Sequence, residues 1–301
     1  MPAPLTSLPA LGPGARVALV APAGPVRDES DVERARANAR LFGWEPVVGA
    51  HALERSGYLA GADAARLADL QHAIDDPAID AIWCLRGGYG VMRLLAALDV
   101  APLRRRPKPV IGFSDITALH AALGRHAGLV SLHGPTARGV LTEFSRGSLE
   151  RAVVERADSC GAWPVARTVI GGRARGRLVG GNLALLAALA GTDFAPDYEG
   201  AILVLEDVNE PAYRLDRMLT QLDLSGALAR CAGLVFGAFT DAPADDDLAQ
   251  QLDPLIDEVA GRLGVPCLGH VPVGHIDDQW TLPLGAIAEL DADAKRLTVE
   301  R

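Results

Sequence analysis

Short apolar segments alternate with helical patterns along the first 135 residues, and this alternation restricts the fold more than any other feature of the chain. Each apolar run is typical of a buried strand, and segments with helical periodicity separate the runs. The predicted strands cover residues 16–21, 45–48, 81–85, 109–112 and 129–132, and the predicted helices cover residues 28–42, 63–74 and 91–98. This spacing predicts a parallel sheet with right-handed crossovers. Ligands of such a sheet collect at the carboxyl ends of its strands.

The second half of the chain continues the α/β pattern but changes in character. Glycine and arginine alternate with apolar residues over residues 167–179, which indicates twisted strands, and we predict two domains, residues 1–160 and residues 161–301. Further strands are predicted at residues 200–205, 233–237, 267–270 and 286–290, and helices at residues 183–189, 214–224 and 252–263. Asn182 is a natural N-cap for the first of these helices. The predicted fold class is therefore α/β throughout.

Composition limits the kind of partner. With 301 residues and 49% hydrophobic composition, the chain can bury a core in each of two domains. A net charge of −9 argues against nucleic acid and against anionic membranes, which leaves a small molecule or another protein. No apolar run approaches the roughly 18–20 residues that span a bilayer, and the N-terminus lacks the features of a signal peptide, so a cytoplasmic location is expected. Four scattered cysteines without a C-x-x-C pair predict buried, reduced thiols.

Ser114 lies at the predicted corner between the strand of residues 109–112 and a helix that begins near Ile116. A serine on a sharp strand-to-helix turn exposes its hydroxyl at the edge of the sheet, beside the unpaired N–H groups of the helix's first turn. Nucleophile and oxyanion donor can then come from one turn. The alternative is an ordinary N-cap, because Ser114 and Asp115 are both good capping residues before an apolar periodic run.

A nucleophilic serine needs a base, and that base needs an orienting carboxylate. Three of the seven histidines stand at or just beyond the end of a predicted strand, namely His133, His270 and His275, and each can face Ser114. The other four are predicted to be solvated or to lie too far along the helix that follows Ser114 (His51, His72, His120 and His126). Glu206 ends an apolar strand, where it is either an acid at a site or an ordinary surface acid. No H-E-x-x-H motif supports a metal site.

The loop of residues 86–90, R-G-G-Y-G, follows a predicted strand and therefore lies at the same edge as Ser114. Its glycines permit positive φ and a close approach of backbone N–H groups to a ligand. The spacing matches neither the P-loop nor the dinucleotide-binding motif, so nucleotide binding is only weakly indicated. The alternative is an ordinary tight turn.

Seven short motifs stand in a definite order along the chain. They are G-Y-L-A-G at residues 57–61, R-G-G-Y-G at 86–90, G-F-S-D at 112–115, H-G-P at 133–135, G-G-N at 180–182, L-E-D at 205–207 with Y-R-L-D-R at 213–217, and G-H at 274–275 before L-P-L-G at 282–285. In all seven, and over nearly its whole length, the chain resembles the LD-carboxypeptidases (muramoyltetrapeptide carboxypeptidases). These are serine peptidases that trim murein peptides in the bacterial cytoplasm.

The resemblance implies a fold and a catalytic triad. It implies an N-terminal flavodoxin-like parallel-sheet domain that holds the serine, and a smaller C-terminal α/β domain, with the site in the cleft between them and usually in a homodimer. The triad carried over from the family consists of Ser114 as nucleophile, Glu206 as acid and His275 as base. Glu210 is an alternative for the acid. The same order of residues occurs in α/β-hydrolases, but Ile116 replaces the second glycine of their G-x-S-x-G motif.

Three functions are compatible with these residues. The first is a serine carboxypeptidase, which by the resemblance releases the terminal D-alanine of a small murein tetrapeptide during cell-wall recycling. The second is an immunity-type hydrolase that cleaves toxic peptidyl- or aminoacyl-nucleotides with the same triad. The third is a non-catalytic protein that binds a small ligand, and the presence of all three triad residues counts against it. None of the three requires a metal ion or an organic cofactor.

Further residues are expected to assist the reaction. The backbone N–H groups of Gly88 and Asp115 are candidates for the oxyanion hole, because both residues lie in loops at the carboxyl edge of the sheet. A chain with a net charge of −9 needs a local cation to hold a substrate carboxylate. Arg86 is the candidate, and a purely structural arginine is the alternative.

Overall fold

The computed structural model describes residues 6–243 and 248–300, which form two β-sheets with helices packed on their faces. The strands are β1 (Arg16–Val20), β2 (Glu45–Val48), β3 (Ala81–Cys84), β4 (Val110–Gly112), β5 (Ser131–His133), β6 (Gly161–Ala162), β7 (Arg167–Ile170), β8 (Arg173–Asn182), β9 (Ile202–Val208), β10 (Gly233–Thr240), β11 (Cys267–Gly269), β12 (Leu282–Leu284), β13 (Ile287–Asp291) and β14 (Arg296–Val299). The α-helices are α1 (Glu29–Leu41), α2 (Asp63–Asp75), α3 (Ala101–Arg105), α4 (Thr117–Ala122), α5 (Glu143–Glu150), α6 (Leu183–Leu189), α7 (Ala212–Leu224) and α8 (Leu248–Leu263).

The first sheet has the strand order β2-β1-β3-β4-β5, with β12 added at the β5 edge. Strands β1 to β5 pair in parallel, which confirms the predicted parallel sheet. The order 2-1-3-4-5 is that of flavodoxin-like folds. Ile82 and Trp83 of β3 are both fully buried, in apolar clusters on opposite faces of the sheet. Helices therefore cover both faces, as a parallel sheet requires.

The second sheet has the order β6-β14-β13-β8-β9-β10-β11-β7. Its centre, from β8 to β11, is parallel, and the outer strands pair antiparallel. The central strands are again buried on both sides, with Leu203 and Val204 in different apolar clusters. This architecture confirms the α/β class. The sequence pattern does not predict β14, and it places Glu206 at the end of β9, whereas the strand continues to Val208.

Strand β12 joins the two sheets. It pairs antiparallel with β5 of the first sheet, although it lies late in the chain. Directly after it, Gly285 N donates to Leu178 O of β8 at 2.6 Å, and Leu178 N donates to Ala286 O at 2.8 Å. One continuous segment therefore makes hydrogen bonds to both sheets. The boundary between residues 160 and 161 stays a prediction, and β12 is a strand whose pairing crosses it.

The helix predicted at residues 91–98 is wrong. A single 3-10 turn covers Val91–Arg93, and the segment continues through tight turns to α3. Val91, Leu94 and Leu95 are buried, which explains the helical periodicity of the apolar residues, but their backbone bonds are mostly of the i→i+3 kind. Periodicity alone does not separate these two arrangements.

Two further sequence predictions concern membranes and cysteines. In residues 6–243 and 248–300, no helix combines the length and the apolarity that crossing a bilayer demands. All four cysteines are free, and Cys84, Cys231 and Cys267 are buried. Burial raises the pKa of these three thiols to about 12, so they are protonated apolar fillers.

Candidate active site

Ser114 occupies a strained corner between β4 and α4. Its φ is +66°, in the left-handed region that residues other than glycine seldom adopt. Such strain persists where the surrounding structure fixes it, often at functional sites. The chain enters through extended Phe113 and leaves through a 3-10 turn, Ser114–Ile116, directly before α4. Ser114 is not an N-cap, because neither the turn nor α4 has a side-chain cap, so this alternative from the sequence is wrong.

The Ser114 hydroxyl contacts His275, and His275 contacts Glu206. The distance from His275 Nε2 to Ser114 Oγ is 3.1 Å, and His275 Nδ1 lies 2.8 Å from Glu206 Oε2. A carboxylate accepts hydrogen bonds only, so Nδ1 carries the proton that it donates and Nε2 accepts from the serine hydroxyl. The Phe113 ring packs on the imidazole, with ring centroids 4.8 Å apart. The two sheets therefore meet in a serine–histidine–glutamate chain.

The position of the acid and the base depends on close backbone packing. Glu206 lies inside β9 and is fully buried, opposite Asn182 of β8. The His275 loop approaches it at Gly274, where φ is +123° and a Cβ would lie 3.0 Å from Glu206 Oε2. Only glycine combines this φ with this contact. Gly274 is therefore a site residue whose role the sequence reasoning missed, although it was visible in the G-H motif.

The other candidates for base and acid lie elsewhere. His133 is fully buried, and the Phe113 ring contacts both its ring and that of His275. Burial places the pKa of His133 well below the usual range. His270 is on the surface, with Nε2 2.8 Å from Asp253 Oδ1. Glu210 pairs with Arg214 four residues later, at 2.9 Å. The structure thus brings His275 and Glu206, rather than these residues, to Ser114.

The glycine loop of residues 86–90 packs directly on the nucleophile. A Cβ on Gly87 would lie 2.7 Å from Ser114 Cβ and 3.0 Å from its Oγ, so no larger residue fits without displacing the serine. Gly88 follows at φ +112° and is exposed. The loop also meets the loop after β1, where Gly24 N donates to Gly87 O at 3.0 Å. Gly87 is a second residue that the sequence reasoning missed, although R-G-G-Y-G contains it.

The side chain of Asp115 has a structural role. Its buried carboxylate accepts a hydrogen bond from Val91 N at 2.9 Å and so holds the far end of the glycine loop against the nucleophile turn. Burial raises the pKa of Asp115 to about 6, against the lowering effect of that N–H donor. Asp207, next to Glu206, behaves in the same way, since burial raises its pKa to about 6.

Arg86 begins the glycine loop and lies half-buried, with Nη1 donating to Pro25 O at 2.6 Å. One guanidinium nitrogen therefore has a structural partner, as the alternative interpretation proposed. Arg86 also belongs to a group of positive charges. Burial lowers the pKa of Arg138, and the nearby positive charge of Arg86 lowers it further. A cationic region therefore lies beside the glycine loop of this acidic protein.

Buried Asp31 partly balances these charges. Its Oδ1 lies 2.9 Å from Arg27 Nη2, and its Oδ2 lies 3.3 Å from Arg138 Nη1. The bond from Arg27, with a further contribution from Arg138, lowers the pKa of Asp31 to about 2 although burial opposes the change. One carboxylate faces several guanidinium groups, so Asp31 balances only part of their positive charge.

The arrangement has the parts of a nucleophilic hydrolase. A hydroxyl is within hydrogen-bond distance of an imidazole nitrogen, and a buried carboxylate orients that imidazole and would stabilise its protonated form. The glycine loop packs against the Ser114 side chain, where a developing oxyanion would need hydrogen-bond donors.

Comparisons with known proteins identify a family to which the whole chain is similar. Residues 17–134 match the model of the LD-carboxypeptidase N-terminal domain, and residues 175–290 match that of the C-terminal domain. A murein tetrapeptide carboxypeptidase of Pseudomonas aeruginosa is 40% identical over 299 residues, which cover 93% of this chain and 94% of the relative. A carboxypeptidase-named protein of Streptomyces coelicolor is 45% identical over 306 residues, which cover 97% and 95% of the two chains.

Solved structures give the same result. The muramoyltetrapeptide carboxypeptidase of Oxalobacter formigenes superposes with a TM-score of 0.80 at 33% identity, covering 95% of this chain and 98% of that one. The self immunity protein MccF, in complex with glutamyl sulfamoyl guanosine, reaches a TM-score of 0.89 at 21% identity over 99% of both chains, which shows a shared fold. Both domain models, the two relatives and the shared fold lead to one conclusion: the chain belongs to the LD-carboxypeptidase family of peptidases.

Proposed function

We propose that the protein is a serine carboxypeptidase that hydrolyses the L,D-peptide bond to the terminal D-alanine of murein tetrapeptides. The observation that carries the proposal is the continuous contact from Ser114 Oγ through His275 to Glu206, at 3.1 Å and 2.8 Å. The substrate class is supported by the names of the relatives at 40% and 33% identity, which are murein tetrapeptide and muramoyltetrapeptide carboxypeptidases.

In the proposed reaction His275 acts first as base and then as acid. Its Nε2 takes the proton of Ser114 as Oγ attacks the carbonyl carbon, and the imidazolium formed is stabilised by Glu206. The same proton then passes to the leaving amine as the peptide bond breaks, which releases D-alanine and leaves an acyl-enzyme. Water, deprotonated by His275, hydrolyses that ester. The buried carboxylate suits this role, because its interaction with a cation is strong where water is excluded.

The backbone N–H groups of Gly88 and Asp115 are our candidates for the oxyanion hole. Asp115 follows the nucleophile directly, and Gly88 follows Gly87, which packs on Ser114. The positive φ of Gly88 and its exposure leave its peptide group accessible to a substrate. Donors preorganised in this way stabilise the tetrahedral intermediate without reorganisation during the reaction.

Arg86 is our candidate for holding the terminal carboxylate of the substrate. Its Nη1 is engaged with Pro25 O, and its guanidinium lies in the cationic region that includes Arg138. A carboxypeptidase has to distinguish a chain end from an internal peptide bond, and a cation next to the oxyanion loop does so by charge. A site fitted to a D-configured terminus leaves these donors unpaired with an all-L peptide, which is then rejected.

The test uses three substrates and the purified protein. Disaccharide tetrapeptide, its all-L analogue and an aminoacyl-sulfamoyl adenosine are incubated separately, and product masses are followed. Release of D-alanine from the first alone supports the proposal. Cleavage confined to the adenosine compound would establish the immunity-type hydrolase instead, and binding without turnover of any compound would establish a non-catalytic protein.

Three properties complete the proposal and rest on the family resemblance. We propose a cytoplasmic location, where murein fragments are recycled, and a homodimer, which light scattering coupled to size-exclusion chromatography tests. The proposed reaction uses no metal ion or organic cofactor. Exhaustive chelation is therefore expected to leave turnover unchanged, and activity that is lost and then restored by zinc would contradict this.

A further inference from the structure

The G-G-N motif at residues 180–182 forms a close contact between the two halves of the site. Gly181 has a φ of +128°, and a Cβ there would lie 2.5 Å from Thr117 Oγ1 of α4. A Cβ on Gly180 would collide with Val204 O of the neighbouring strand β9. The end of β8 therefore touches the nucleophile's helix on one side and the acid's strand on the other, which two glycines make possible.

Asn182 makes a hydrogen bond in each of these directions. Its backbone N–H donates to Thr117 Oγ1 at 3.0 Å, and its side-chain Nδ2 donates to Asp207 Oδ1 at 2.8 Å. Its Oδ1 accepts from Leu185 N at 3.2 Å and caps α6. Asn182, Thr117 and Asp207 are all at least 97% buried, so water does not compete for these bonds.

Asp207 is itself firmly held. Besides the bond from Asn182, its carboxylate accepts from Ala184 N at 2.9 Å and from its neighbour Val208 N at 2.8 Å. Three donors surround this one side chain, and it is fixed on α6 as well as on β9. A change at Asn182 therefore cannot be absorbed by free rotation of Asp207.

These contacts join the two halves of the triad. Thr117 lies three residues after Ser114 on the turn and helix that carry it, and Asp207 is the residue next to Glu206. The triad itself spans the two sheets through one bond, from Ser114 to His275, which is partly exposed. A displacement of about 1 Å between reacting groups lowers turnover by up to about 10²-fold.

We propose that Asn182 is a positioning residue that sets the Ser114–His275 distance by holding Thr117 to Asp207. The proposal rests on the triad proposed above. The hydrogen bonds of Asn182 go to Thr117, Asp207 and Leu185 and not to the side chains of Ser114, His275 or Glu206, so we expect its loss to lower kcat with little change in KM.

The most informative variant is Thr117→Val, which removes the acceptor for Asn182 N–H while keeping the shape of the side chain. We expect kcat to fall roughly 10-fold or more, with KM within about twofold. Thr117→Ser retains the hydroxyl and is expected to restore most of the turnover. Asn182→Ala keeps the backbone N–H but removes the side-chain bond to Asp207, so it should lower kcat to a similar extent. The double variant should lower kcat no further, because each change breaks one bond of the same link from Thr117 to Asp207.

The matched control is Ser148→Ala. Ser148 is fully buried, and its hydroxyl also joins the two halves of the chain, donating to Ser159 O at 2.6 Å and accepting from Thr281 N at 2.8 Å, but it touches none of the residues described above. This variant should lose thermal stability with kcat unchanged. An equal loss of kcat in Ser148→Ala and Thr117→Val would show general loosening and overturn the proposal, as would a wild-type kcat in Thr117→Val.

A second measurement separates this proposal from the choice of substrate. A fluorophosphonate forms a bond from Ser114 Oγ to phosphorus as fluoride leaves and His275 takes the proton, and it needs no murein peptide. Modification is expected to be roughly 10-fold slower in Thr117→Val and unchanged in Ser148→Ala. This result supports the positioning role even if tetrapeptides prove not to be substrates, whereas equal rates in wild type and Thr117→Val would overturn it.

Discussion

The two halves of the proposed triad are built in different ways. The nucleophile half is local: β4, the strained turn and α4 all lie within residues 110–122, and the site begins where the strand ends. The acid–base half joins residues 69 positions apart, and its histidine reaches a serine 161 positions away. The first half depends on a backbone conformation that a short segment adopts, and the second depends on packing across a whole sheet.

The electrostatics of the two halves differ as well. On the nucleophile side, Asp31 is surrounded by guanidinium groups, which lower its pKa to about 2. On the acid–base side, Glu206 is fully buried and His275 is the partner of its Oε2. The nucleophile half thus supplies the turn geometry and positive charge. The acid–base half supplies a buried carboxylate, which stabilises the histidine once the histidine is protonated.

Removal of the nucleophile should have the largest effect. We expect Ser114→Ala to lower kcat by about 10³-fold or more while the protein remains folded, because the remaining groups bind but do not attack. Turnover of tetrapeptide and the circular dichroism spectrum are the measurements. Ser225→Ala, which removes a hydroxyl at the end of α7, is the control. Near wild-type turnover in Ser114→Ala would remove this residue from the mechanism.

The acid is tested by comparing two neighbouring glutamates. Glu206→Gln should lower kcat roughly 10²-fold or more, because a neutral amide neither fixes the tautomer of His275 nor stabilises its protonated form. Glu210 precedes α7 and pairs with the half-exposed Arg214, so Glu210→Gln loses only this ion pair and should remain within about twofold of wild type. Inactivity of the second variant alone would reassign the acid.

The close glycine contacts allow each half to be disturbed separately. Gly87→Ala places a methyl 2.7 Å from Ser114 Cβ, and Gly274→Ala places one 3.0 Å from Glu206 Oε2 at a positive φ. Each should lower kcat about tenfold or more, since reacting groups tolerate little displacement. Gly261→Ala, in open space on α8, is the control and should leave turnover unchanged. If Gly87→Ala alone leaves kcat unchanged, the turn that carries Ser114 can accommodate a methyl group better than its geometry suggests.

The last prediction concerns the stability of the protein rather than its activity, and it compares two buried carboxylates whose pKa values shift in opposite directions. The folded-state pKa of Asp115 is about 6, above its ordinary value of 3.8, so the folded form binds the proton more tightly and its contribution to stability declines as the pH rises from about 4 to about 6. Asp31 has the opposite sign, because its folded-state pKa of about 2 adds stability as the pH rises from about 2 to 4.

Urea unfolding at several pH values checks these signs. Asp115→Asn should flatten the decline between about pH 4 and pH 6, and Asp31→Asn should remove the rise below about pH 4. Wild-type pH dependence in both variants would show that other groups determine the profile.

Several features were predictable from residues alone. The alternating segments predicted the parallel sheet, and Ser114 was predicted at a corner because a strand pattern and a helix pattern meet there. Asn182 was predicted as a helix cap, which the bond from Leu185 N confirms. All of these depend on neighbours within a few positions in sequence, where turn chemistry and periodicity decide the outcome.

Other features required the tertiary structure. Residue patterns left His133, His270 and His275 equally possible, because each follows a strand, and only packing brings the last to Ser114. The helix predicted at residues 91–98 is a series of tight turns, since the same apolar periodicity buries the same side chains in either form. Gly87 and Gly274 carry no side chain, so their importance is visible only in what a Cβ would strike.

The sequence by itself determined the α/β class, most of the individual strands and helices, and a serine at the corner between a strand and a helix, because these follow from interactions between residues close in the chain. The pairing of β12 with β5, the burial of Glu206 and the contact of His275 with Ser114 were decided by the tertiary structure. They join segments more than 60 positions apart, and such contacts form only when two complete sheets pack and exclude water.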